Sequence, residues 1–199
     1  MRRLAKVLVF VTLTLISTSS FSYSSNPKNL ISELVNDAIS ILSNKNISKI
    51  DKKKQIEIIA LENVDIEGLG LFTLGQIRKN LDQEMLKKYN NLFEKYFLKT
   101  LTSRLTDYSS QEFEVLEADQ KSETYTIVRS RIVENPSGPE IKIDWRVYTK
   151  DPAKPLIRDL IVEGLSLART QKEEFASILS SNDNDINILL AKLEEFTKN

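Results

Sequence analysis

The chain has no cysteine and no histidine among its 199 residues. Without cysteine there is no disulfide framework, no thiol nucleophile and no thiolate metal site, so stability has to come from packing alone. Without histidine there is no Ser-His-Asp triad, no imidazole base and none of the usual zinc sites. Charge bias is missing too: 28 lysines and arginines face 28 aspartates and glutamates. With no basic excess to grip a phosphate backbone, a nucleic-acid partner is not expected. Glycine numbers only five, and neither a GxGxxG nor a GxxxxGK loop occurs. What is present, 41% hydrophobic and 28% charged residues, is the composition of one ordinary globular domain with a substantial core.

The N-terminus departs from that average. Arg2, Arg3 and Lys6 precede the apolar run Val7 to Ile16, and Ser20 and Ser22 flank Phe21 at small-x-small spacing. This is the pattern of a cleavable secretory signal over residues 1–22, with Tyr23 as the mature N-terminus. The run is shorter than the ~20 apolar residues needed to span a bilayer. Cleavage leaves 25 basic against 28 acidic residues, a mildly acidic single domain over 23–199.

Helical periodicity fills the first half of that domain. Asn26-Pro27 is a cap followed by proline at the first helical position, and Leu30, Ile31, Leu34, Val35, Ala38 and Leu42 then form one apolar face. Ser48 is positioned to cap a second helix, with Ile56, Ile59 and Ala60 on one side and a solvated lysine run on the other. Three glycines, Gly68, Gly70 and Gly75, sit among Leu69, Leu71, Phe72 and Leu74. Glycine in a helical pattern costs about 1 kcal/mol relative to alanine, so this segment is bent or closely packed against an apolar wall. Asn80 with Gln83 reads as a capping box for a long helix bearing Leu86, Tyr89, Leu92, Phe93, Tyr96, Phe97 and Leu101.

From Gln111 the period falls to two. Ile141, Ile143, Trp145 and Val147 alternate with Glu140, Lys142, Asp144 and Arg146, as in a strand with one buried face. Strands are expected near 111–118, 123–134, 140–149 and 156–163, with turns at Asp119-Gln120, Asn135 to Pro139 and Asp151 to Pro155, which makes an antiparallel meander. Leu160, Ile161 and Val162 end the last strand and Gly164 turns the chain off the sheet. Thr170 with Glu173 then reads as a capping box, and a final helix starts at Asn184 or Asp185. The fold class is α+β. An enzyme would have to rely on carboxylates or on a Ser-Lys pair, for instance on Asp159 with Glu163 as acid and base. Four residues apart on a strand, they stand ~13 Å apart along it, too far for the usual glycosidase pair. The chain therefore reads as a non-enzyme, with no cofactor and no metal site.

The string IDWRVYTKDPAKPLIRDLIVEGLSLARTQKEEFASIL, from Ile143 to Leu179, resembles the C-terminal block of the MlaC family, the toluene-tolerance or ABC-transporter auxiliary proteins of Gram-negative bacteria. The resemblance rests on the strand led by Trp145, the Asp159-Leu160 pair, the turn Val162-Glu163-Gly164-Leu165-Ser166 and the helix from Thr170 through Phe175. Upstream, Phe72 to Phe97 is similar to the family's pattern of phenylalanine, Leu-Gly pair and capped helix. The chain departs from it at Gln76-Ile77-Arg78-Lys79, where members often carry a tryptophan, and in the glycines at 68 and 70.

The resemblance implies helices packed on a curved four-stranded antiparallel sheet of the NTF2-like kind, enclosing an apolar cavity for the acyl tails of a phospholipid. It further implies a monomeric periplasmic carrier that serves outer-membrane lipid asymmetry. The partners implied are an inner-membrane ABC transporter complex with an MCE-domain subunit and an outer-membrane lipoprotein complex. Two C16 chains present ~30 methylenes, whose exposure to water costs on the order of 20 kcal/mol at ~0.8 kcal/mol each, so free passage between membranes needs an enclosing protein. On this reading the expected lipid wall is Phe72, Leu74, Phe93, Phe97, Leu101, Trp145, Val147, Ile161 and Leu165. The alternative is an exported structural or interaction protein whose core is solid.

Overall fold

The computed structural model describes residues 23–105, 112–133 and 140–198. The expected signal segment and the turn at 135–139 lie outside them. Six helices are described: α1 (Pro27–Ser43), α2 (Lys49–Asn63), α3 (Ile66–Leu74), α4 (Gln83–Leu105), α5 (Leu167–Ser180) and α6 (Ile186–Lys198). The strands are β1 (Glu112–Ser122), β2 (Tyr125–Val133), β3 (Glu140–Tyr148), β4 (Leu156–Val162) and β5 (Leu165–Ser166). They form one antiparallel sheet in chain order.

Two helix starts follow the expected chemistry. The Asn26 side chain accepts the N–H groups of Lys28 and Asn29 ahead of α1, and Ser48 accepts that of Asp51 in α2. Two others differ. Ile77–Asn80 winds into a short 3₁₀ turn, and α4 begins at Gln83 with Asp82 Oδ1 taking the Met85 N–H at 2.8 Å. A carboxylate is the stronger partner for the positive end of a helix, so Asp82 displaces Asn80 as the cap. Likewise α5 starts at Leu167, where Ser166 Oγ accepts the Arg169 N–H at 3.0 Å, and Thr170 donates back to the Ser166 carbonyl instead of capping.

The sheet departs from expectation in two places. Asp119 and Gln120 do not turn but pair with Ile127 and Thr126, and the chain reverses at Glu123-Thr124. A bulge between Val115 and Ala118 takes up an extra residue, which carries the strand past the expected turn. Lys28 Nζ donates to the Leu116 carbonyl at this bulge and ties α1 to it. The second departure is β5, a fifth strand where four were expected. Glu163 and Gly164 both have positive φ, 50° and 82°, as a two-residue hairpin loop requires, so Leu165 and Ser166 fold back onto β4.

Packing divides into two cores. The helical core joins α3, α4, α5 and α6 through Leu69, Leu74, Tyr89, Phe93, Phe175, Leu179 and Leu190. Here Gly70 explains part of the glycine cluster: a Cβ on it would stand 2.9 Å from the Phe93 ring, so only hydrogen lets α3 approach α4 this closely. The Tyr89 hydroxyl, buried between the same helices, pairs with Thr73 Oγ1 and donates to the Gly70 carbonyl. Burial raises its pKa above the ordinary tyrosine value. The sheet core joins α1 and α2 to β2, β3 and β4 through Leu30, Ile31, Ile56, Ile59, Val128, Val147 and Ile157.

Val64, at the end of α2, packs against both cores. Next to it Asp65 caps α3, donates its N–H to the Ile157 carbonyl at 2.9 Å and pairs through its carboxylate with Arg158. The Arg158 guanidinium lies 3.4 Å from the centre of the Tyr148 ring. This clasp fixes the helical layer to the sheet at one point.

Candidate functional site

Strand register assigns every sheet side chain to one of two faces, because residues directly opposite across a ladder share a face. One face is charged: Arg131 bridges Glu114 and Glu140, and Arg129 pairs with Glu117 and Asp119. The other face is apolar and is built in transverse rows. Ala118, Val128, Trp145 and Leu160 form one row, and Val115, Ser130, Ile143, Val162 and Leu165 form the next. Phe113, Ile132 and Ile141 form the outermost row.

Burial grades along this face. Val128 and Val147 are 0% exposed beneath α1 and α2, closing one end. Toward the other end, where β1 begins and β2 finishes, Ile132, Ile141, Ile143, Leu160 and Val162 are only half-buried and belong to neither core. Full burial of such a side chain stabilises by ~1.5–3 kcal/mol, and each of these forgoes a part of it. Helix α4 packs chiefly on α3, α6 and α2 rather than on a strand. Its Leu101 and Leu105 reach the sheet core and remain half-buried, as does Phe113.

Between the closed and open ends lies Trp145. Its indole Nε1 donates to Ser130 Oγ at 2.8 Å, and Ser130 Oγ donates to the Ile143 carbonyl at 2.9 Å. Phe113 meets the indole edge to face, with ring centroids 6.2 Å apart at 84°. Two bonded polar groups and one ring contact thus hold the indole across the apolar face.

Of the residues expected to form the wall, the structure places Trp145 and Leu165 on this face and Leu101, on α4, against the sheet core. Leu165, 69% exposed, extends the Ile143–Val162 row at the sheet's edge. Phe97 lies half-buried on α4, stacked 6.4 Å from Phe93, on the side of the helical core. Leu74 and Phe93 are inside the helical core, and Val147 is at the closed end of the sheet core. Phe72 is 42% exposed on α3 under the Lys172 ammonium, apart from the sheet. Ile161 pairs with Asp144 and so falls on the charged face, while Leu160 and Val162 take the apolar one.

Residues that the sequence reading left out are Leu105, Phe113, Ile132, Ile141, Ile143, Leu160 and Val162. The alternation through Ile141, Ile143 and Trp145 carried the signal for β3. In β4 the unbroken run Leu160-Ile161-Val162 conceals its phase, and the irregularity at Arg146/Val147 leaves Arg158 unpaired and shifts the strand by one residue.

The Val-Glu-Gly-x-Ser turn holds this site's edge. Asp159 is buried, accepts the Ser166 hydroxyl at 2.6 Å and the Ala168 N–H at 3.0 Å, and lies 3.9 Å from Arg146. Glu163 accepts the Lys142 N–H, which fastens the hairpin loop to β3. Both carboxylates are engaged in holding β4, β5 and α5 together.

With this arrangement in view, the chain matches the family model described as MlaC protein over residues 32–195. The chain belongs to the MlaC family. No curated protein matches it. Among solved structures, the MlaC-family chain resembles the phospholipid-binding protein from Ralstonia solanacearum, whose structure was determined in complex with a phospholipid. The two share 20% identity with a TM-score of 0.71 over 84% of this chain and 94% of that one, a likeness of fold. In this MlaC-family chain, no helix among the described residues is long and apolar enough to cross a membrane.

Proposed function

We propose that this chain is a periplasmic phospholipid carrier, exported with removal of residues 1–22. On this reading it passes lipid between an inner-membrane ABC transporter complex with an MCE-domain subunit and an outer-membrane lipoprotein complex, and so maintains outer-membrane lipid asymmetry. The acyl tails lie between the C-terminal half of α4 and the apolar face of the sheet, against Leu101, Leu105, Phe113, Trp145 and Val162, with Leu165 at the rim.

The observation that carries this reading is the group Ile132, Ile141, Ile143, Leu160 and Val162, apolar side chains that share one sheet face with Trp145, stay partly exposed and join neither core. An acyl chain covers them and gains ~0.8 kcal/mol for each methylene it removes from water. Membership of the MlaC family and the phospholipid bound in the Ralstonia solanacearum protein support the same ligand class. Native mass spectrometry of the mature protein tests it. The purified chain carries adducts of phospholipid mass that detergent strips; a chain that is empty, and stays empty after mixing with phospholipid vesicles, has a solid core and acts through its surface alone.

A further inference from the structure

We infer that Trp145 is the stop against which the acyl-chain ends rest, so that this one side chain sets the length of chain the site accepts; the inference rests on the carrier reading above. Three observations converge on it. The first is position. On β3, Val147 is sealed in the sheet core, Ile143 and Ile141 are half-buried outside both cores, and Trp145 is the residue between them.

The second is orientation. Ser130, opposite Ile143 in the register, is 2% exposed and accepts the indole N–H, so the ring lies diagonally over the one small side chain in its row. Phe113, two strands away, meets it from the far side. Indole and phenyl together form a bar across the sheet. An acyl chain entering past Leu165 and Val162 runs along the Ile143 and Ile141 rows and then meets this bar.

The third is rigidity. A buried indole donor left unpaired is costly, so the Ser130 bond holds the ring in place, and the serine's own proton is committed to the Ile143 carbonyl. A flexible side chain would yield to a longer chain; this ring is fixed at both its polar and its apolar edge. Removing it frees the space that the indole fills above Ser130 and in its own row beside Leu160.

Trp145 is the chain's sole tryptophan, so its emission reports on its own neighbourhood. The test uses phosphatidylcholines carrying a nitroxide at one of three positions in an acyl chain: near the glycerol, at mid-chain, or near the terminal methyl. With the unaltered protein, quenching of tryptophan emission rises as the nitroxide moves toward the methyl end. Quenching that is equal at all positions, or greatest near the glycerol, overturns the inference when native mass spectrometry shows the lipid bound. Absence of bound lipid overturns the carrier reading itself. In a second arm, Trp145→Ala protein with unchanged circular dichroism co-purifies with longer acyl chains than the wild type. An unchanged chain-length distribution in that variant contradicts the stop, and the quenching series decides the matter if the variant does not fold.

Discussion

Replacing Asp159 by alanine tests how the edge of the site is held. The carboxylate has a side-chain exposure of 2%, and both its oxygens accept hydrogen bonds from the start of α5, one from Ser166 Oγ and one from the Ala168 N–H. Hydrogen bonds to a charged group contribute ~1.5–3 kcal/mol each, and alanine also strands the Ala168 N–H without an acceptor. The expected loss is therefore roughly 3–5 kcal/mol, a large share of the ~5–15 kcal/mol available to a domain of this size. Asp159→Asn keeps the shape and one acceptor and forfeits only the charge, so it costs less, about 1–2 kcal/mol. Ser166→Ala removes a helix cap and one of the two bonds, for about 1–2 kcal/mol. Urea unfolding at neutral pH, followed by circular dichroism, ranks the three variants. If Asp159→Ala costs under ~1 kcal/mol, the apolar contacts of Phe175 and Leu179 alone seat α5, and the carboxylate has no part in it.

Leu101→Asp and Phe175→Asp separate the lipid-facing surface from closed core: Phe175 is 3% exposed among Phe93 and Tyr96, so a carboxylate there costs several kcal/mol and abolishes the cooperative melt. Leu101→Asp keeps its melt and loses phospholipid adducts in native mass spectrometry; unfolding of both variants alike assigns Leu101 to solid core. Tyr89 gives a pH test, because burial raises its pKa above the ordinary value of 10.0. The folded state favours the neutral phenol, so that contribution is whole below pH 10.0 and is lost as pH climbs beyond it toward the raised value. Tyr89→Phe lacks the titrating group, so its stability deficit against the wild type narrows in alkaline solution; denaturation curves that stay parallel across the alkaline range refute this.

Element types were legible wherever a period ran undisturbed. Leu30 to Leu42 at helical spacing and Ile141 to Val147 at strand spacing both form what they predict, and Asn26 and Ser48 cap as their chemistry dictates. Legibility failed where two local chemistries competed. Asn80 lost to Asp82 and Thr170 to Ser166, each rival lying within one turn. It failed again where one extra residue shifts a strand, as at the β1 bulge and at Arg158, because a bulge leaves the composition of the strand unchanged. For the site, residue types were visible and grouping was not. Phe93 and Leu101 share a helix and look alike in sequence, yet one belongs to the helical core and the other reaches the sheet. That division depends on where α4 leaves its helical neighbours, a tertiary property that no local pattern encodes. The glycines at 68, 70 and 75 read as a bent or closely packed segment, and Gly70 against Phe93 is a close approach.

Because strand order equals chain order, every ladder in the sheet joins sequence neighbours. Each strand's pairing partner is the next strand along the chain. Loop-closure entropy stays small at every such step, which favours fast folding with few misregistered intermediates. The long-range joins lie outside these ladders: Lys28 reaches Leu116, and Asp65 meets Ile157 and Arg158, where the helical layer is seated on the meander. The non-local cost of this topology therefore falls on docking the helices, not on pairing the strands.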